Sequence, residues 1–124
     1  MRNFTDFMIW NHIFFIIEIF HAYYKKDYML VFLASSTTYL SIERHRTMYT
    51  KYNMIEPIVA KSSMVYMTCR CLYEFAMYEK FMFLLSESIS FFIWDIQKYN
   101  YEKIHPWLHV SIALNAGIYL NYLN

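Results

Sequence analysis

The chain has 124 residues with one glycine and two prolines, which indicates a single domain and argues against a turn-rich β fold. Hydrophobic residues make up 58% and aromatic residues 22%, more than a domain of this length usually buries, so we expect much apolar surface to contact lipid or a partner. A formal net charge of +1 is too small to produce the strong positive field of a nucleic-acid-binding protein. No nucleic-acid partner is therefore expected.

Five apolar segments follow one another along the chain and predict an all-α fold. They cover residues of about 7–24, 28–42, 55–75, 81–96 and 106–123, with short polar patches between them. Most approach the roughly 20 apolar residues that span a bilayer, although charged residues such as Glu18 and Lys61 interrupt them. The sequence therefore predicts a single helical membrane domain over residues 1–124, a multi-pass transmembrane bundle of about 4–5 helices.

The last segment, PWLHVSIALNAGIYLNYL, is the best candidate span. Pro106 predicts the first helical turn, because its missing N–H costs nothing there. Ala113, Ala116 and Gly117 form a small-residue face on which another helix can pack closely. The localisation that follows is a multi-pass integral membrane protein. Its expected partners are membrane lipids, other transmembrane helices or further copies of the chain.

Two histidines four residues apart stand at the start of this last segment. His105 and His109 share one face of a helix, so both imidazoles can bind one cation. Asp95 lies ten residues before His105, where a short hairpin can return its carboxylate to the histidines as an acid or base. In a purely structural alternative, Asp95 and His105 cap two helix ends and His109 is hydrogen-bonded inside the bundle.

A run of hydroxyl residues interrupts the second apolar segment, FLASSTTYLSIERHR. Ser36 can bond to a substrate carbonyl or hold a metal-bound water, and the structural alternative is a hydrogen bond to the carbonyl four residues earlier. His45, in the polar patch after this segment, is the candidate third metal ligand. His12 and His21 of the first segment are further candidates for that position.

The Trp-Asp pair at 94–95, the polar loop after it and HPWLHVSIALNAGIYL resemble the last two helices of the alkaline ceramidase and progestin/adiponectin-receptor superfamily. The final helix of that family carries a His-x-x-x-His motif followed by small residues and an aromatic. The matching positions are His105, Trp107, His109, Gly117 and Tyr119, with Asp95 at an acidic position after the preceding helix. The family's earlier Ser-x-x-x-His motif aligns with Ser36, but Leu40 stands where its histidine is expected, and Glu56 replaces an aspartate.

The resemblance implies a multi-pass scaffold that hydrolyses a lipid amide with a zinc-activated water. It implies zinc as the cofactor, metal ligands at His105 and His109 with His45 as the substitute for the third, and catalytic roles for Asp95 and Ser36. The chain would be a short and degenerate relative. Two alternatives stay open: a non-enzymatic membrane assembly or interaction protein, and a soluble helical protein that binds an apolar ligand.

Overall fold

Helices make up nearly all of the chain that the computed structural model describes, residues 6–47 and 51–123. In chain order they are α1 (Phe7–Trp10), α2 (Ile13–Tyr24), α3 (Tyr28–Thr47), α4 (Lys51–Glu74), α5 (Met77–Ile96) and α6 (Tyr101–Tyr122), with a 3-10 turn at Gln97–Tyr99. The described residues contain no strand, so the predicted all-α fold is confirmed. α3 packs against α2 and α4, and α6 packs against α2 and α5.

The helices follow the predicted apolar segments, with two differences at proline. α6 begins at Tyr101 and continues through Pro106, and α4 begins at Lys51 and continues through Pro57. Each proline lacks an N–H and so removes one intrahelical hydrogen bond near the start of its helix. The helix nevertheless continues through the proline. Placing Pro106 in the first helical turn is therefore wrong, because α6 begins about one and a half turns earlier.

The turn between α2 and α3 anchors one end of the bundle. Lys26 adopts a positive φ of 62°, and Asp27 follows it as a buried carboxylate with 5% exposure. This carboxylate accepts hydrogen bonds from the hydroxyls of Tyr66 at 2.6 Å and Tyr119 at 2.7 Å. Burial, and then the Asp27 carboxylate, raise the pKa of the Tyr119 hydroxyl above its usual range. Asp27 therefore ties the start of α3 to α4 and α6.

The apolar core lies at the same end of the bundle. Its buried members are Ala22, Leu30, Met67, Cys71, Phe75, Phe83, Ala116, Tyr119, Leu120 and Leu123. α2 also approaches α6 closely at Gly117, where a Cβ would lie 3.0 Å from Oε1 of Glu18. The other end of the bundle holds a group of buried histidines with their polar partners, beside apolar residues such as Ile9 and Phe15.

Length alone would allow α3, α4, α5 and α6 to cross a bilayer, since each has between 20 and 24 residues. Over residues 6–47 and 51–123, however, none of the helices combines that length with enough apolar character to span a membrane. Charged side chains lower the hydropathy of the long helices, as Lys61, Arg70 and Glu74 do in α4. The predicted transmembrane bundle and the predicted integral membrane localisation are therefore wrong.

Candidate metal centre

Three histidines from two helices converge inside the bundle, at the end away from the apolar core. His45 lies in the last turn of α3, and His105 and His109 lie one turn apart in α6. All three are buried, with exposed fractions of 5%, 8% and 4%. Each contributes one ring nitrogen to a group whose atoms all lie within 4.8 Å of one another. The structure thus brings together the three residues predicted as metal ligands.

One pair of ring nitrogens has the spacing that a tetrahedral zinc ion requires, and all three ligand nitrogens lie within 4.8 Å of one another. Zinc–nitrogen distances of about 2.0–2.1 Å place the ligand nitrogens roughly 3.3 Å apart and the ring centroids roughly 5 Å apart. The Nε2 atoms of His45 and His105 are 3.2 Å apart. The ring centroids are 4.9 Å apart for His45 and His105, 5.3 Å for His45 and His109, and 4.4 Å for His105 and His109. One cation can therefore contact all three rings after small side-chain adjustments.

Amide side chains fix the proton on the outer nitrogen of two of these histidines. Nδ1 of His105 lies 2.7 Å from Oε1 of Gln97, and Nδ1 of His109 lies 2.9 Å from Oδ1 of Asn11. An amide oxygen only accepts, so Nδ1 is the donor in both bonds and each Nε2 keeps its lone pair. An imidazole whose Nε2 is unprotonated is the form that binds a metal.

Burial disfavours the protonated form of His109 and of its neighbour His12. The pKa of His109 is held well below its usual range, first by burial and then by the charges that His105, His12 and His45 carry when protonated. Burial also lowers the pKa of the adjacent His12 to about 4, against an opposing effect of its hydrogen bond to the Ile9 carbonyl. Neutral imidazoles are competent ligands, and one metal cation avoids the repulsion among several imidazolium charges.

His12 and Ser41 form a polar pair beside the three histidines. Nδ1 of His12 lies 2.7 Å from the Ile9 carbonyl oxygen, and Nε2 lies 2.8 Å from the Ser41 hydroxyl. Because Nδ1 donates to the carbonyl, Nε2 accepts and Ser41 donates. The His12 ring contacts that of His109, with centroids 4.6 Å apart. Ser41 was missed in the sequence, although its position four residues before His45 was a usable signal.

The predicted catalytic residues Asp95 and Ser36 lie away from this cluster. Asp95 points to solvent near the end of α5, where its carboxylate is 3.7 Å from the ammonium group of Lys98 and both side chains are more than half exposed. Gln97, two residues later, is the side chain that contacts His105. Ser36 precedes His45 by nine residues on α3, which places it roughly 13 Å along the axis and on the opposite face.

The Ser-x-x-x-His spacing expected from the family resemblance occurs five residues later than the assigned register. Ser41 and His45 have this spacing, and His45 lies in the cluster. His21 is a further candidate ligand, but its Nδ1 forms a 3.2 Å hydrogen bond with Oε2 of Glu18 inside α2. The side chain of Glu56 lies outside the part of the chain that the structure describes.

A cavity of about 460 Å³ adjoins the histidines between α4, α5 and α6. His105 and His109 form part of its wall. The remaining wall is mainly apolar and includes Met64, Phe91, Trp94, Leu108 and Ile112, with polar contributions from Arg44, Lys61, Ser90, Gln97 and Tyr101. A volume of this size with a few polar groups among apolar walls is typical of a site for a small or chain-like organic ligand.

Comparisons with known proteins do not assign the chain to a family. No protein-family model, curated protein or solved structure matches it. Its function must be inferred from the histidine geometry and from the cavity beside it.

Proposed function

We propose that the protein is a zinc-dependent hydrolase in which His45, His105 and His109 hold the metal through their Nε2 atoms. The observation that carries the proposal is the convergence of three buried imidazoles whose ligand nitrogens lie within 4.8 Å of one another. Three protein ligands leave one tetrahedral position open, which is the composition of catalytic zinc sites. When bound in such a site, zinc acidifies a water molecule and polarises a carbonyl.

The cavity beside His105 and His109 supports a lipid amide as the substrate class. Its apolar walls offer a surface for an acyl chain, since burial of apolar area is the main favourable contribution to binding such a group. Arg44 and Lys61 in the same wall offer hydrogen-bond donors for a carbonyl or a polar headgroup. The same class of substrate follows from the resemblance to the alkaline ceramidases.

Ser41 and His12 are the polar residues best placed to assist at the open position. The Ser41 hydroxyl donates a hydrogen bond to His12. The lone pairs of the hydroxyl oxygen can therefore accept a hydrogen bond from a water beside the histidines. His12 stays neutral and fixes the orientation of the serine hydroxyl. Asp95 and Ser36 take no part in this mechanism, because both lie away from the cluster.

Zinc binding is the first test. The purified chain is expected to retain an equimolar amount of zinc after dialysis, and the double variant His105→Ala/His109→Ala is expected to lose it. His21→Ala is the matched control, because His21 hydrogen-bonds to Glu18 in α2 rather than facing the cluster. Metal analysis that finds no zinc in the wild type, or equal zinc in the double variant, would overturn the proposal. Release of a fatty acid from an N-acyl lipid by the zinc-loaded protein tests hydrolysis itself.

A second candidate function is assembly with other helical proteins or with further copies of the chain. Large aromatic side chains remain exposed on two helices, with exposed fractions of 71% for Phe20, 64% for Phe81 and 63% for Phe92. Exposed apolar surface of this kind marks interaction sites. Analytical ultracentrifugation of the zinc-free chain should show concentration-dependent oligomers if this is its function, and a monomer at all concentrations would count against self-assembly.

A further inference from the structure

Two amide side chains, the buried Asn11 and the partly buried Gln97, contact the outer ring nitrogens of the candidate metal ligands. We propose that Asn11 and Gln97 are positioning residues that fix the tautomer and ring orientation of His109 and His105 for metal binding. This inference rests on the proposed zinc site. It assigns a role to two residues from separate parts of the chain, the link between α1 and α2 and the 3-10 turn between α5 and α6.

The orientation of Asn11 is determined by its second hydrogen bond. Asn11 is fully buried, and its Nδ2 donates to the backbone carbonyl of Phe7. The amide nitrogen is therefore committed, so that the amide oxygen faces Nδ1 of His109 at 2.9 Å. His109 must then carry its proton on Nδ1 and present an unprotonated Nε2. The other tautomer would place two acceptors against each other.

Gln97 constrains His105 in the same way. Its Oε1 lies 2.7 Å from Nδ1 of His105, and the ring of Tyr101 stacks on the same imidazole with centroids 4.4 Å apart and planes 20° from parallel. The stacking fixes the plane of the ring and the hydrogen bond fixes its rotation within that plane. The Nε2 lone pair of His105 is thereby aimed at Nε2 of His45, 3.2 Å away.

The groups that accept hydrogen bonds from Nδ1 of His105 and His109 are both neutral amides. Many metal-binding histidines instead donate this hydrogen bond to a carboxylate. A carboxylate in this position makes the imidazole a more basic ligand and tightens metal binding. An amide gives the orientation without that added negative charge. Replacing the amide of Gln97 with a carboxylate of the same shape should therefore strengthen binding, while removing the hydrogen bond should weaken it.

The experiment measures zinc affinity of the full chain by competition with a chromophoric chelator, and the visible absorption spectrum of the cobalt-loaded chain. Gln97→Met and Asn11→Leu are each expected to weaken zinc binding by about 10- to 100-fold and to alter the cobalt spectrum. Gln97→Glu is expected to bind zinc as tightly as the wild type or more tightly. Asn115→Leu is the matched control, because Asn115 is fully buried but donates to Ser90 instead of contacting a histidine.

The outcomes separate the two proposals. A wild type that binds no zinc overturns both the zinc site and the positioning role. A wild type that binds zinc, together with Gln97→Met and Asn11→Leu variants of unchanged affinity, overturns the positioning role alone. An equal loss in Asn115→Leu also overturns it, since the loss then follows fold stability. Weaker binding by Gln97→Glu than by the wild type contradicts the role given to the amide hydrogen bond.

Discussion

Acidification is expected to destabilise this protein through its buried histidines, and His12 allows the effect to be isolated. His12 is 1% exposed, with one ring nitrogen bonded to the Ile9 carbonyl and the other to Ser41. Burial lowers its pKa from 6.5 to about 4. Between these values the unfolded chain binds more protons than the folded chain. The stability that His12 contributes is therefore complete above pH 6.5 and is lost as the pH falls toward 4.

The size of this loss follows from the two pKa values. Between pH 7.5 and pH 5, proton linkage at His12 alone lowers the free energy of unfolding by about 2 kcal/mol. His109 acts in the same direction, because its pKa is also lowered by burial. Glu18 and Glu87 act in the opposite direction, because burial raises the pKa of both carboxyl groups. A comparison with a His12 variant is therefore needed to separate the contributions.

Urea unfolding followed by circular dichroism, at pH 7.5 and at pH 5 with a chelator present, makes this comparison. The wild type is expected to lose about 2 kcal/mol more stability over this interval than His12→Gln. Any general destabilisation by the glutamine cancels, since each protein is compared with itself at the two pH values. An equal pH dependence in both proteins would refute the conclusion that burial holds His12 neutral.

Two further predictions concern buried carboxylates. Tyr119→Phe removes a hydroxyl donor from the buried Asp27 carboxylate. It is expected to lower the free energy of unfolding by about 1.5–3 kcal/mol, measured by urea unfolding at pH 7. An unchanged free energy of unfolding would show that the other donors satisfy Asp27 without it. Burial raises the pKa of Glu87 and disfavours its ionised form. The free energy of unfolding of Glu87→Gln is therefore expected to increase relative to that of the wild type as the pH rises from 5 to 8. A difference between the two proteins that does not change with pH would contradict this.

The helices were predictable because long apolar runs are separated by charged patches and almost no glycine or proline interrupts them. The membrane prediction failed for a related reason. Tyrosine counts as apolar in composition but carries a hydroxyl, and charged residues such as Lys61 and Arg70 lie inside the same helical run. A high apolar fraction is therefore compatible with helices that lack a membrane-spanning stretch.

The candidate site was predictable only where helical spacing reveals it. His105 and His109 are four residues apart on one helix, and Ser41 and His45 have the same spacing on another. Asn11 could not be found in this way, because it lies 98 residues from His109 in the chain.

Asp95 and Gln97 differ in their direction around the helix axis. Two residues rotate a helix by about 200°, so Gln97 reaches the cluster and Asp95 lies on the opposite side. A carboxylate is also more strongly hydrated than an amide, which favours its position in solvent beside Lys98. Sequence distance to His105 alone could not distinguish the two residues.

In the proposed zinc site, the separation of the ligands along the chain has a consequence for folding. His45 and His105 are 60 residues apart, so a shared cation closes a loop of that length much as a cross-link does. Closing such a loop restricts the unfolded chain by about 3–4 kcal/mol of conformational entropy. His105 and His109 are close enough to share a cation even in a locally helical, otherwise unfolded chain. In the proposed site, His45 would then be the ligand that makes metal binding depend on the folded state, and a bound metal would be a reversible cross-link between α3 and α6.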